Sequence, residues 1–212
     1  MKLFPSIASA NTLTIGDTLK DLEKWPFLHI DIEDGNFVPN ITFGMKTVSA
    51  ICANVKNKEV QVHLMVKNPM DYLEDLANCG VSSVIAQFEA LEYPLQFLKK
   101  CRKLGMKTGL ALNMKTPAED TIMFWNEMDQ LLLMTAEPDC DGEKIYQPAL
   151  QRALGIASQQ RDGIELYVDG GLTIDALWQL RDAGADGAVL GRLVFQTANP
   201  LEMLTVTSRE LY

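Results

Sequence analysis

The sequence predicts an α/β chain closed into a (β/α)8 TIM barrel. Three observations carry that prediction. Eight short apolar runs rich in β-branched residues alternate with longer amphipathic stretches, and such alternation produces a parallel sheet covered by helices. Several amphipathic stretches end at a glycine just before the next apolar run, as α-to-β joints do. The pattern fills all 212 residues without a linker or low-complexity stretch, so one domain over residues 1–212 is expected, near the lower size limit of about 200 residues for such barrels.

The expected strands are residues 3–8, 27–32, 60–66, 83–88, 107–112, 130–135, 165–169 and 187–191. The clearest helical segments between them are 12–23, 69–78, 94–104, 117–127, 148–160 and 173–183. Four of these begin with proline (Pro69, Pro94, Pro117 and Pro148), whose missing N–H costs nothing in a first helical turn. Thr173 is a suitable N-cap, with apolar residues following at helical spacing. Gly80, Gly105 and Gly184 mark left-handed helix ends.

Composition narrows the function classes. The formal net charge is −9 and no Lys/Arg cluster interrupts it, which argues against nucleic acid and anionic membranes as partners. No apolar run approaches the length of a membrane span, and the first residues do not read as a signal peptide. Cys52, Cys79, Cys101 and Cys140 form no C-x-x-C pair, so a cytoplasmic protein without a disulfide framework is expected.

In such barrels chemistry sits at the C-terminal strand ends. Both histidines of the chain fall there. In Leu28-His29-Ile30-Asp31-Ile32 the period of two puts His29 and Asp31 on one face and the apolar residues on the other. The same alternation turns His63 inward with Gln61 and Met65, and Asp169 ends the seventh strand before Gly170-Gly171. Two imidazoles and two carboxylates suit one divalent ion of Zn, Fe, Mn or Co. Spacing alone leaves hydrogen-bonded core histidines and an exposed turn acid as the other reading.

The segments HIDIEDGNFVPNITFG, VHLMV, ALNMKTP, LLMTAEP and VDGG follow one another in order, and together they resemble the ribulose-phosphate 3-epimerase family over nearly the whole chain, as a divergent branch. The resemblance implies a ribulose-phosphate-binding type of barrel that inverts carbon 3 of a ketose phosphate, with metal ligands His29, Asp31, His63 and Asp169. It implies that Asp31 and Asp169 are the catalytic acid and base. Ser6 matches a serine near substrate and Met65 a methionine shielding the reacting carbon, against the plainer roles of small interior residue and core packing. Gly170, Gly171, Gly191, Arg192 and the remaining loop glycine, Gly142, are the expected phosphate contacts. Family members are often dimers or larger, so a homo-oligomer is expected, with Trp25, Phe43 and Trp125 open to either interface or packing roles.

The sequence departs from the family pattern at several places. Glu33 stands where methionine is usual, either as a third carboxylate in the mouth or as a solvated loop acid. Asn36 and Gln87 replace histidines and Met114 a proline. After the sixth strand, Pro138-Asp139-Cys140-Asp141-Gly142-Glu143 replaces a glycine-rich phosphate loop. Arg192 either compensates as a phosphate contact or pairs with Asp139 or Asp141. Cys140 is read as an incidental thiol. Two other functions are weighed. A sugar-acid phosphate decarboxylase would carry D-x-K-x-x-D after a strand, and no lysine lies between Asp31 and Asn40. A non-catalytic sugar-phosphate or metal-binding barrel is the alternative that the acidic loop and Glu33 support.

Overall fold

The computed structural model describes residues 1–138, 144–159 and 163–211. Eight strands form one parallel sheet: β1 (Lys2–Pro5), β2 (Phe27–Glu33), β3 (Glu59–Met65), β4 (Ser83–Gln87), β5 (Lys107–Leu112), β6 (Gln130–Met134), β7 (Glu165–Asp169) and β8 (Gly187–Leu190). The ladder runs β1-β8-β7-β6-β5-β4-β3-β2 and curls into a barrel. Its two ends meet through a single bridge between Ser6 and His29. Near that seam the Leu3 carbonyl accepts a hydrogen bond from the Trp25 indole at 2.9 Å.

The α-helices are α1 (Ile15–Asp21), α2 (Met45–Asn54), α3 (Leu73–Asn78), α4 (Pro94–Lys103), α5 (Gln147–Ala157), α6 (Ile174–Ala183), α7 (Arg192–Phe195) and α8 (Pro200–Glu210). The strands therefore match their expected places, with adjustments at the ends. The expected first strand stops at Pro5, and residues Ile7–Ser9 turn as a 3-10 helix. The second strand runs one residue further, through Glu33, because Thr42 Oγ1 accepts the Glu33 N–H and donates to the Asp31 carbonyl.

Helix expectations are corrected in two ways. Residues Ala118–Glu127 wind as 3-10 rather than α-helix. There Thr121 Oγ1 bonds back to the Ala118 carbonyl and also receives the Trp125 indole, which draws the turns tight. Helices α2, α7 and α8 lie outside the six segments read most clearly from sequence. Helix α8 did carry a signal: Asn199 accepts the Glu202 N–H as N-cap, with Pro200 at the first position. Thr173 caps α6 as expected, and Gly80, Gly105 and Gly184 all adopt positive φ.

Alternation along each strand divides the core in two. Leu28, Ile30, Ile32, Val62, Leu64, Leu131, Leu133 and Leu166 face outward against the helices in the larger apolar cluster. Trp25 and Phe43 are buried in that layer and Trp125 packs on it, so their aromatic surface is used within the chain. A smaller cluster of Phe4, Ile85, Ala111, Leu132, Met134, Tyr167 and Val189 fills the barrel interior. Below it, at the N-terminal end, Lys2 Nζ lies 2.9 Å from Glu165 and 3.6 Å from Glu59, and Lys107 lies 3.7 Å from Glu165. Among the described residues no helix is long and apolar enough to cross a membrane.

Candidate functional site

Strands β2, β3 and β7 bring His29, Asp31, His63 and Asp169 together, with one potential ligand atom from each lying within 4.8 Å of the others. Asp31 is the hub. Its Oδ1 lies 3.1 Å from His29 Nε2 and 3.2 Å from His63 Nδ1, and its Oδ2 accepts a short hydrogen bond from Ser6 Oγ. The in-register pairing of Asp31 with His63 across β2 and β3 makes this meeting geometric, while His29 precedes Asp31 on the same face.

The electrostatics are those of a site with surplus negative charge. Burial and the neighbouring Asp31 push Asp169 up to about 7. For Asp31 burial acts upward too, but the two imidazoles outweigh it and hold the carboxyl far below its ordinary range. Burial lowers the His63 pKa, whereas Asp31 and Asp169 raise that of His29 against the same burial. Two carboxylates and two imidazole nitrogens of this kind fit a divalent cation, which would neutralise the pair that Asp169 avoids by holding a proton.

Asp31 and Asp169 line a cavity of about 700 Å³ at the C-terminal end of the barrel, and His29 and His63 are fully buried beside them. That volume suits a small-molecule ligand. Ser6, Asp31, Glu33, Met65, Met134 and Asp169 line one part of it. Gly170, Gly171, Gly191, Arg192 and Lys144 line another. Gly170 and Gly171 both hold left-handed backbone, φ 116° and 64°, which brings the turn after β7 against Ala136 with no room for a Cβ at Gly170.

Most expected site residues therefore converge. Glu33 is buried on the mouth-facing side of β2 and accepts the Asn40 amide at 3.0 Å, which corrects the solvated-loop reading. Gly142 lies outside the described residues, as do Cys140 and the Arg192 pairing with Asp139 or Asp141. Lys144 was missed, having no motif around it. Gln61 was placed inward by alternation without a role, and its amide oxygen lies 2.8 Å from His29 Nδ1.

The chain matches the family described as "Ribulose-phosphate 3 epimerase family" over residues 2–195. It is 35% identical over 208 residues to a ribulose-phosphate 3-epimerase of Synechocystis, covering 94% of this chain and 90% of that protein. Proteins of the same name from Schizosaccharomyces pombe and Bacillus subtilis are each 31% identical, covering 96% and 92% of this chain and 91% and 92% of theirs. Among solved structures, the KGPDC of Streptococcus mutans superposes with a TM-score of 0.75 at 14% identity, covering 99% of this chain and 96% of that one. The 3-hexulose-6-phosphate synthase of Salmonella typhimurium gives 0.71 at 16% identity, covering 100% and 98%. These two share the barrel.

Proposed function

Because the chain belongs to the ribulose-phosphate 3-epimerase family and is an isomerase of that kind, we propose that it inverts carbon 3 of a ketose phosphate, ribulose 5-phosphate/xylulose 5-phosphate or a related sugar phosphate. The observation that carries this reading is the pair Asp31 and Asp169, brought from β2 and β7 to one cavity floor beside two imidazoles.

The carbon 3 proton is weakly acidic because a carbonyl lies next to it. Inversion needs one group to take that proton on one face and another to deliver a proton on the opposite face. Asp31 and Asp169 fill those roles and exchange them when the reaction runs backward. Ser6 holds Asp31 through its second oxygen, so the carboxylate does not rotate away from the reacting carbon. Met65 and Met134 bring thioethers to the same cavity wall, which keeps water from the carbanionic carbon. His29, Asp31, His63 and Asp169 would hold one divalent ion (Zn, Fe, Mn or Co), which supplies Lewis-acid stabilisation of the negative oxygens. Arg192 and Lys144 beside Gly170, Gly171 and Gly191 make the cationic end for phosphate.

The test is solvent exchange. Metal-loaded protein given ribulose 5-phosphate in deuterium oxide should return ketose labelled at carbon 3. Asp31→Asn and Asp169→Asn should each lower the rate by about 100- to 10,000-fold. His63→Ala should lose bound metal in elemental analysis. No label with any ketose phosphate would sink the epimerase reading and leave a barrel that binds without turnover.

A further inference from the structure

Each imidazole of the cage turns one nitrogen toward Asp31 and the other away. His29 presents Nε2 to Asp31 and Nδ1 to Gln61 Oε1 at 2.8 Å. His63 presents Nδ1 to Asp31, and its Nε2 lies 3.2 Å from one corner of the Gln87 side-chain amide. A neutral imidazole has one N–H and one lone pair, and only the lone pair can ligate a metal. The outward partner therefore decides which nitrogen is free for the ion.

A glutamine amide offers a donor at one corner and an acceptor at the other, so its direction must be set from elsewhere. For Gln61 it is set from the far end of the barrel. Its Nε2 donates to Gln130 Oε1 at 3.2 Å, and Gln130 Nε2 points to Glu165 Oε2 at 3.5 Å. An ionised carboxylate only accepts, and Lys2 pairs with Glu165 at 2.9 Å. Following the chain back from Glu165, Gln130 must donate downward, Gln61 must donate to Gln130, and the Gln61 oxygen must face His29. For Gln87 the direction is set locally. The other corner of its amide lies 3.0 Å from Glu89 Oε2 and 3.2 Å from the Ala111 carbonyl; both are acceptors, so that corner must be the nitrogen, which leaves the oxygen for His63. Glu89 is itself fixed by the Asn113 N–H at 2.9 Å and by the Thr116 hydroxyl. All three glutamines are fully buried, so water does not compete for these corners.

We propose that Gln61 and Gln87 are positioning residues that hold the outward protons of the two histidines, Nδ1–H in His29 and Nε2–H in His63, so that the nitrogens beside Asp31 are the ones bared when an ion binds. Neither glutamine touches the reacting atoms. Each acts through a histidine, and the chain Glu165–Gln130–Gln61 carries that control from the N-terminal end of the barrel to its mouth. The inference rests on reading the cage as a metal site, but its first readout does not need the metal.

The test is a proton–nitrogen correlation spectrum of histidine-labelled protein, which distinguishes the two tautomers directly. It is recorded metal-free over a rising pH series, because Asp31 and Asp169 hold His29 above the ordinary imidazole range, and again with zinc. The native protein should show His29 protonated at Nδ1 and His63 at Nε2, and the opposite tautomer at either residue overturns the proposal. Gln61→Met, nearly the same volume, should give His29 a tautomer mixture while His63 is unmoved. Gln87→Met should do the reverse, so each variant controls for the other. Zinc affinity should fall about 10- to 100-fold in each. Unchanged tautomers in a folded variant overturn the proposal, and if neither variant folds the native spectrum decides alone. Native protein with both tautomers as stated but no zinc affinity would support the amide control and sink the metal reading.

Discussion

Burial and the charge of Asp31 push Asp169 up to about 7, and this gives metal uptake a definite pH dependence. A divalent ion takes the carboxylate form, so below pH 7 it must first displace a proton from Asp169. His29, held above its ordinary range by Asp31 and Asp169 against burial, adds a second proton to displace. Metal affinity should therefore fall at least about tenfold for each pH unit below 7. Calorimetric titration with zinc in buffers of different ionisation enthalpy counts the released protons, and binding independent of pH between about 6 and 8 would contradict the raised carboxyl. At this scale the sequence was most informative about the four cage residues, because the period of two on β2 and β3 sorts side chains by face. It was least informative about Gln61 and Gln87, since the direction of an amide depends on Glu165 and Glu89, which no local pattern joins to it.

At the scale of strands and helices, β5 and β6 show how a missing side chain makes room for a polar one. Gly109 pairs with Gln130. A Cβ on Gly109 would lie 2.6 Å from the Gln130 carbonyl oxygen and 2.9 Å from its Cβ, closer than real contacts allow. Gly109→Ala should cost about 1–3 kcal/mol in urea unfolding. Wild-type stability in that variant would mean the strands can separate locally without loss. The strands were legible because buried parallel strands are continuous apolar runs. Segment Ala118–Glu127 was legible as an element but not as a 3-10 helix, since its tightening depends on Thr121 bonding to Ala118 and Trp125. Helix α2 lacks a side-chain cap at Gly44, which removes the usual start signal.

At the scale of the whole molecule, eight strands in order position the cavity, and the sequence carried that architecture through its count and spacing. It did not carry where the ring is weakest. Seven of the eight neighbouring strand pairs are joined by continuous ladders, whereas β1 and β2 meet through one bridge, at Ser6 and His29. That bridge is also where Ser6 holds Asp31 and where His29 enters the cage. An ion bound by His29, Asp31, His63 and Asp169 would tie β2 and β3 to β7 across the interior, bracing from inside the part of the ring that holds the seam. Amide deuteration followed by mass spectrometry should show zinc slowing exchange in peptides spanning Lys2–Pro5 and Phe27–Glu33 more than in Lys107–Leu112. Equal slowing everywhere would mean that the ion stabilises the barrel without mending its seam. If the slowing is confined to the seam, the ring opens and closes with ion binding, and loss of the ion would begin the unravelling of the barrel at the edge beside the four-residue cluster.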